Sequence, residues 1–396
     1  MSLVYKFKGR VVRLLLKVLP IQLPVLFKGA GSTKLLIEQV SVLGYKKALI
    51  VTDEVLHKLG AIDGIKTDLE RLGVEYAIYD GVLPNPEFAQ VTEGLSLFKK
   101  EKCDCIISVG GGSVIDAGKM VAMLHNNPGP LKQFDGIQKF KKAGTVQFVV
   151  PSTAGTGSEV TIAAVISEAE THSKVSVVDT KMVPQFVALD SEIMKGMPPS
   201  ITAATGMDAL THAVESYINK GQNENADSLS KTSTQLIFKF LQRAFDNGED
   251  LEARDGMALA SFYAGLAFSR KSLGYVHGIA HQLGAICNTP HGMANAMVLP
   301  EVLSAYGGCV HEKLAVLACE CGIGSPEASD AQNAADFIQA IIDLRKALDL
   351  PLKPKGFKPE LVDDVVARAL NESGNLHPVP RYMSRSEVQA IVQKLL

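Results

Sequence analysis

Cys105-Ile-Ile-Ser-Val109-Gly110-Gly111-Gly112-Ser113-Val114-Ile115-Asp116 decides the fold. Cys105–Val109 is a short apolar run rich in β-branched residues, which reads as a buried strand. Three glycines follow, and Ser113–Asn126 then has helical spacing. A strand that feeds a helix through glycines is one half of a parallel β-α-β unit. Such a turn is also where a phosphate can sit, because glycines allow close backbone approach and the helix N-terminus offers unpaired N–H groups. Position 115 is Ile, so the spacing is not the dinucleotide fingerprint G-x-G-x-x-G. A tight structural turn explains the glycines equally well.

The same alternation extends on both sides. A first strand is expected near Leu23–Phe27 and a second at Lys47–Thr52, followed by a helical stretch from Glu54 through Arg71. Glu75–Tyr79 reads as strand, Phe88–Lys100 as helix and Val146–Val150 as strand. Strands separated by helices predict a parallel sheet covered on both faces. Val160–Ile166 and Lys174–Val178 add two strands whose polar separator suits a hairpin on the sheet's edge. After Asp190 the strand signals nearly vanish. Pro198-Pro199 punctuates the chain, and Ser200 suits the N-cap of a helix from Ile201. Helical periods recur at Leu229–Phe245, Gly256–Ser269, Ala331–Leu348 and Glu360–Leu370. The expected organisation is an α/β domain over residues 1–195 and an all-α domain over 196–396.

The chain has 396 residues, 46% of them hydrophobic and 21% charged. That is enough for a sizeable core without disulfides or a structural metal. The formal net charge of −2 gives no general nucleic-acid footprint. The six cysteines lack zinc-ribbon spacing and read as reduced thiols, which fits a cytoplasmic protein. The first twenty residues carry Lys6, Lys8, Arg10, Arg13 and Lys17 with apolar residues between them. They read as a basic amphipathic segment rather than an export signal. The longest stretch free of acidic and basic side chains, Ser272–Pro300, holds three histidines and two prolines, so it does not suit a lipid-facing span.

Further features carry chemistry. Ser152-Thr153-Ala-Gly-Thr-Gly-Ser-Glu159 follows a strand and offers hydroxyls and glycines with little bulk, suited to closing over a ligand or simply to a polar connection. Asp53 ends a strand, where a carboxylate either accepts from ribose hydroxyls or caps a helix. Then Asp208-Ala-Leu-Thr-His212 and His277-Gly-Ile-Ala-His281 each place two ligating side chains on one helical face. Asn288-Thr-Pro-His291-Gly292 adds a third histidine within the charge-free stretch. An i,i+4 Asp–His hydrogen bond alone would explain the first pair. One carboxylate with imidazoles suits iron(II), zinc or nickel and leaves room for a substrate oxygen.

Taken together, Gly110-Gly-Gly-Ser113 with Asp116 and Lys119, Thr153–Glu159, Thr205-Gly-Met-Asp208-Ala-Leu-Thr-His212, His277–His281 and Asn288–Gly292 resemble the iron-containing (group III) alcohol dehydrogenase family. The likeness runs over about residues 23–305. Asp80-Gly-Val-Leu-Pro-Asn-Pro86 and the DALTHAVESY run bring it nearest the lactaldehyde reductase (propanediol oxidoreductase) branch. The resemblance implies a Rossmann-like N-terminal domain, a helical C-terminal domain and an active site in the cleft between them. It implies Asp208, His212, His277 and His291 as metal ligands and His281 as a non-ligand histidine that helps proton transfer. It implies nucleotide contacts from Asp53, Asn85, Gly111, Gly112, Ser113, Ser152, Thr153, Thr161 and Lys174, with Ser152 standing where the family often has Thr. The implied cofactors are NAD, with NADP as the alternative, and Fe(II), with zinc or nickel as substitutes. The implied substrate is a small alcohol or aldehyde, and the implied assembly a homo-oligomer, a dimer. Two other readings use the same residues. A 3-dehydroquinate-synthase-like enzyme would use metal and NAD without net NADH production. A metal-dependent hydrolase would leave the glycine loops idle.

Overall fold

The computed structural model describes residues 21–168 and 174–396. The basic N-terminal segment lies outside the described residues. The chain divides into two compact units between Met197 and Pro198.

In the N-terminal unit the elements run β1 (Val25–Lys28), α1 (Ser32–Val42), β2 (Lys47–Val51), α2 (Glu54–Lys58), α3 (Asp63–Arg71), β3 (Glu75–Tyr79), α4 (Phe88–Lys100), β4 (Cys105–Gly110) and α5 (Gly112–Asn126). They continue with β5 (Gly136–Ile137), β6 (Gln147–Pro151), β7 (Ala163–Ser167), β8 (Lys174–Val178), β9 (Phe186–Leu189) and α6 (Ser191–Met194). Six strands form one parallel sheet in the order β1-β9-β6-β4-β2-β3. Side chains alternate between two cores. Leu49, Val51 and Ile106 pack with Val91 and Phe98 of α4 and Met120 of α5. Ala48, Ile50, Cys105, Ile107 and Val109 pack on the other face, with Leu36 and Ile37 of α1 and Ile65 and Leu69 of α3. A strand buried on both faces reads as a continuous apolar run, as Cys105–Val109 does.

The N-terminal unit departs from expectation in three places. Val160–Ile166 and Lys174–Val178 do not extend the main sheet. Ser158–Val160 is a 3-10 turn, and β7 pairs antiparallel with β8 in a separate three-stranded sheet with β5. The helical stretch Glu54–Arg71 is two helices with a turn between them. Strand β9 was not expected, yet it lies between β1 and β6.

The C-terminal unit is helical among the described residues: α7 (Pro199–Ile218), α8 (Glu224–Asp246), α9 (Leu251–Lys271), α10 (Tyr275–Cys287), α11 (His291–Tyr306), α12 (His311–Glu320), α13 (Asp330–Ala347), α14 (Val362–Leu376) and α15 (Arg385–Gln393). Helix α7 is buried nearly all round, which makes it the central helix, packed by α8, α9 and α11. Its N-cap is Pro198 rather than Ser200, with Pro199 in the first turn. Proline suits that position because its missing N–H would have no partner there. No described helix is long and apolar enough to cross a membrane.

Candidate active site

The order of the parallel sheet creates a switch point. The chain leaves β2 toward β3 on one side, and leaves β4 toward β6 on the other. Ligands of open α/β sheets bind at such a point, beyond the carboxyl ends of the strands. Asp53, Gly111 and Ser152 lie just past the ends of β2, β4 and β6, which are neighbours in the sheet. Thr52 Oγ1 donates to Val109 O at 2.8 Å, tying the first two strand ends together. Ser152 N donates to Gly110 O at 2.9 Å, tying the second to the third.

Gly111 caps α5, and Gly112 and Ser113 form its first turn. The glycine at 112 has a packing reason. A Cβ there would lie 2.7 Å from Thr156 Cγ2 of the facing loop. Asp53 is a helix cap: its Oδ1 accepts from Leu56 N at 2.9 Å. Its other carboxylate oxygen is not committed to that bond. Thr153 is half-buried beside Gly111, and Ser152 is buried. Asn85 is exposed in a left-handed conformation, φ 56°, on the loop after β3. Ser167 N donates to Pro86 O, and Ser167 is the register partner of Lys174. The side chain of Lys174 lies outside the described residues.

Thr161 is used differently from its neighbours. Lys119 is fully buried, and its Nζ donates to Ser158 Oγ (3.1 Å), Thr161 O (3.0 Å), Thr161 Oγ1 (3.1 Å) and Ala163 O (2.9 Å). Asp116 accepts from Ser158 Oγ and from Val165 N. The two motif residues after the glycines therefore bolt α5 to the second loop from beneath. Burial pushes Lys119 down to about 8, against the pull of Asp116 and Glu159. It pushes the Glu159 carboxyl up to about 7.

In the C-terminal unit, α7 supplies Asp208 and His212, α10 supplies His277, and α11 begins with His291. One ligand atom from each of these four residues lies within 4.8 Å of the other three. The Nε2 atoms of His212, His277 and His291 stand 3.7, 3.6 and 3.4 Å from Asp208 Oδ1. The rings of His212 and His277 stack at 4.7 Å. His281 is not in the group. Its Nδ1 lies 2.6 Å from Glu372 Oε1, and its ring stacks on that of His291 at 5.2 Å.

Several residues here were not picked out from the sequence. Glu215 Oε2 lies 2.7 Å from His277 Nδ1, and its other oxygen accepts from Val276 N at 2.8 Å. Asn295 is fully buried, and its Nδ2 reaches Asp208 Oδ1 at 2.7 Å and the Nε2 atoms of His277 and His291 at 3.2 Å. Spacing carried a signal for both. Glu215 continues the face of Asp208 and His212 at i+7, and Asn295 is four residues after His291. Glu372 is 91 positions from His281, and no local pattern links them.

The donors fit a divalent cation. His277 Nδ1 donates to Glu215, so its Nε2 is the nitrogen that faces the cluster, the usual arrangement around a metal-binding imidazole. Burial alone would raise the Asp208 carboxyl, but His212, His291 and His277 outweigh it and hold it well below the usual carboxylate range. Burial opposes charge on His277 too, yet Asp208 and Glu215 push its imidazole up to about 9. Partial desolvation, with the neighbouring imidazoles of His281, His277 and His212, lowers His291 from its usual value against the pull of Asp208. A field that draws a proton onto a buried imidazole is one that favours a cation.

Comparison with known proteins agrees with this chemistry. The family model for iron-containing alcohol dehydrogenase matches residues 24–191. That for the Fe-containing alcohol dehydrogenase family, C-terminal, matches residues 202–396. The 1,3-propanediol dehydrogenase of Klebsiella pneumoniae is 39% identical over 372 residues, 93% of this chain and 96% of that protein. Lactaldehyde reductase of Escherichia coli (strain K12) is 37% identical over 350 residues, 87% of this chain and 91% of that one. A crystal structure of 1,3-propanediol oxidoreductase superposes with a TM-score of 0.92 at 39% identity, covering 95% of this chain and 99% of the other. With its strand-end glycine loop, its Asp–His cluster and both family models matched, the chain belongs to the iron-containing alcohol dehydrogenase family.

Proposed function

We propose that this protein interconverts a small alcohol and its aldehyde with NAD, using iron(II) held by Asp208, His212, His277 and His291. The observation that carries the reading is the convergence of those four ligand atoms within 4.8 Å, three of them on buried residues. When bound, iron(II) makes an alcohol hydroxyl more acidic or polarises a carbonyl, and nicotinamide carries the hydride.

The chain's own residues do the rest. Asp208 and Glu215 supply the counter-charge, and Glu215 fixes which nitrogen of His277 faces the cluster. His281, beside His291, is the group that accepts the alcohol proton and returns it in reverse. Gly111, Gly112 and Ser113 offer backbone N–H groups at a helix N-terminus to the pyrophosphate. We assign Ser152, Thr153, Asn85 and Lys174 to the cofactor, together with Thr161, whose hydroxyl is held by Lys119. Asp53 accepts from ribose hydroxyls and repels a 2′-phosphate, which favours NAD over NADP. We place the enzyme in the cytoplasm as a homodimer that binds no nucleic acid. The free state of all six cysteines supports a reducing compartment.

The test is an NAD- and NADP-linked activity screen over short alcohols, diols and aldehydes after anaerobic metal loading. Activity should track iron content. Full activity in metal-stripped protein would overturn the metal assignment. His277→Ala should lose most bound metal. His281→Ala should keep it and lose about 10²–10⁴ in turnover. Equal metal loss in the two variants would make His281 a ligand.

A further inference from the structure

A carboxylate reaches the Nδ1 atom of each histidine of helix α10. Glu215 takes His277, and Glu372 of α14 takes His281 at 2.6 Å. Glu372 is held at both ends. Its second oxygen accepts from Gln282 Nε2 at 2.9 Å, and Gln282 is anchored in turn to Gly278 O at 3.2 Å. Three successive features of α10 thus prepare one contact: Gly278, His281 and Gln282.

Gly278 explains how a helix so distant in sequence gets there. A Cβ at 278 would lie 1.9 Å from Ser373 Oγ and 3.5 Å from Ala369 O. A side chain there would displace the Ser373 hydroxyl and crowd Ser373 Cβ at 3.3 Å, so glycine suits this close approach of α14. Ser373 Oγ closes the crossing by donating to Gly274 O at 3.3 Å. The residue before Ser373 is Glu372, so the crossing sets its carboxylate beside His281.

We propose that Glu372 is the positioning residue of His281, fixing its ring orientation and its tautomer. An Nδ1–H committed to a carboxylate leaves Nε2 as the nitrogen that exchanges protons. Without Glu372 the ring can turn about its χ2 bond, and either nitrogen can carry the proton. The inference rests on the reading of His281 as the proton-transfer group, and the measurements below separate the two.

The experiment is a double-mutant cycle on the iron-loaded enzyme with a spectroscopic partner on the zinc-loaded protein. Glu372→Ala should lower kcat by roughly 10–100-fold. KM for the alcohol and metal content should stay at wild-type values. In a His281→Ala background the same change should cost nothing further, because its effect runs through the ring already removed. Glu372→Leu, which keeps the volume and lacks an acceptor, should behave alike and serves if the alanine variant folds poorly. Nitrogen-15 NMR of histidine-labelled protein should show His281 protonated at Nδ1 in wild type and mixed tautomers in both variants. Losses that multiply in the double mutant, or an unchanged tautomer in Glu372→Ala and Glu372→Leu, would overturn the proposal. Wild-type turnover in His281→Ala would instead overturn the proton-transfer role of His281, and the tautomer measurement would still decide Glu372.

Discussion

His277 Nδ1 and Glu215 Oε2 lie 2.7 Å apart, with both side chains almost wholly shielded from solvent. Through that contact Glu215 decides which nitrogen His277 offers the cluster. Glu215→Gln keeps the shape and removes the charge. Metal affinity should fall about 10–100-fold, the usual cost of losing such a supporting partner. Competitive chelator titration reads this directly. An unchanged affinity would mean that His277 is oriented by packing alone.

The pair also shows what the sequence disclosed. Asp208 and His212 were legible from their four-residue spacing, whereas Glu215, on the same helical face at i+7, was not singled out because its partner His277 lies on another helix. The sheet was legible for a similar reason: Cys105–Val109 is apolar on both faces because both faces are covered. Strand β9 escaped because it is four residues long and follows Pro184, too short for a period to register. The β7–β8 hairpin was legible as a pair, but its sheet was not. Its third strand is only Gly136–Ile137, and membership is settled by that distant contact. Glu372 escaped for the same reason, since its meeting with His281 exists only through the crossing of α10 and α14.

Asp53 caps a helix and, on the proposed reading, also faces the cofactor ribose, two jobs that one substitution can separate. As an N-cap it accepts from Leu56 N, and asparagine caps equally well. Asp53→Asn should leave thermal stability unchanged while removing the charge that disfavours a 2′-phosphate. The ratio of kcat/KM for NADP to that for NAD should rise. Asp53→Ala should show the same change in ratio together with a loss of about 1 kcal/mol in stability. A ratio that stays fixed in Asp53→Asn would reduce the residue to a cap.

Glu159 and Lys119 give stability a pH signature. Glu159 is raised to about 7 when folded, so the folded chain binds its proton more tightly than the unfolded chain does. That contribution is fully present below the ordinary value of 4.5 and is lost as pH rises to about 7. Lys119, lowered to about 8, acts in the next window: stability recovers as pH rises from about 8 toward 10.5. Glu159→Gln should flatten the fall between pH 4.5 and 7 and spare the recovery above 8. Denaturant midpoints at pH 5, 7 and 9.5 check it. An identical fall in the variant would assign the slope to other groups.

Gly292 follows His291 at the start of α11, where that helix meets α7. A Cβ at 292 would lie 2.1 Å from Ala204 O and 2.6 Å from Ala204 C. These are backbone atoms of a buried helix, so no side chain can rotate out of the way. Gly292→Ala must therefore move α11 away from α7, and His291 moves with it, away from Asp208 and His212. Overpacking of this kind costs about 1–3 kcal/mol. The expected result is a lower melting temperature together with weaker metal binding, although residue 292 has no side chain to bind anything. Gly284→Ala is the control. Its Cβ would meet only Thr289 O, at an ordinary 3.5 Å, and it also lies on a helix of the same unit. That variant should keep its metal. If Gly292→Ala keeps wild-type affinity while losing stability, the position of α11 does not set the geometry of His291.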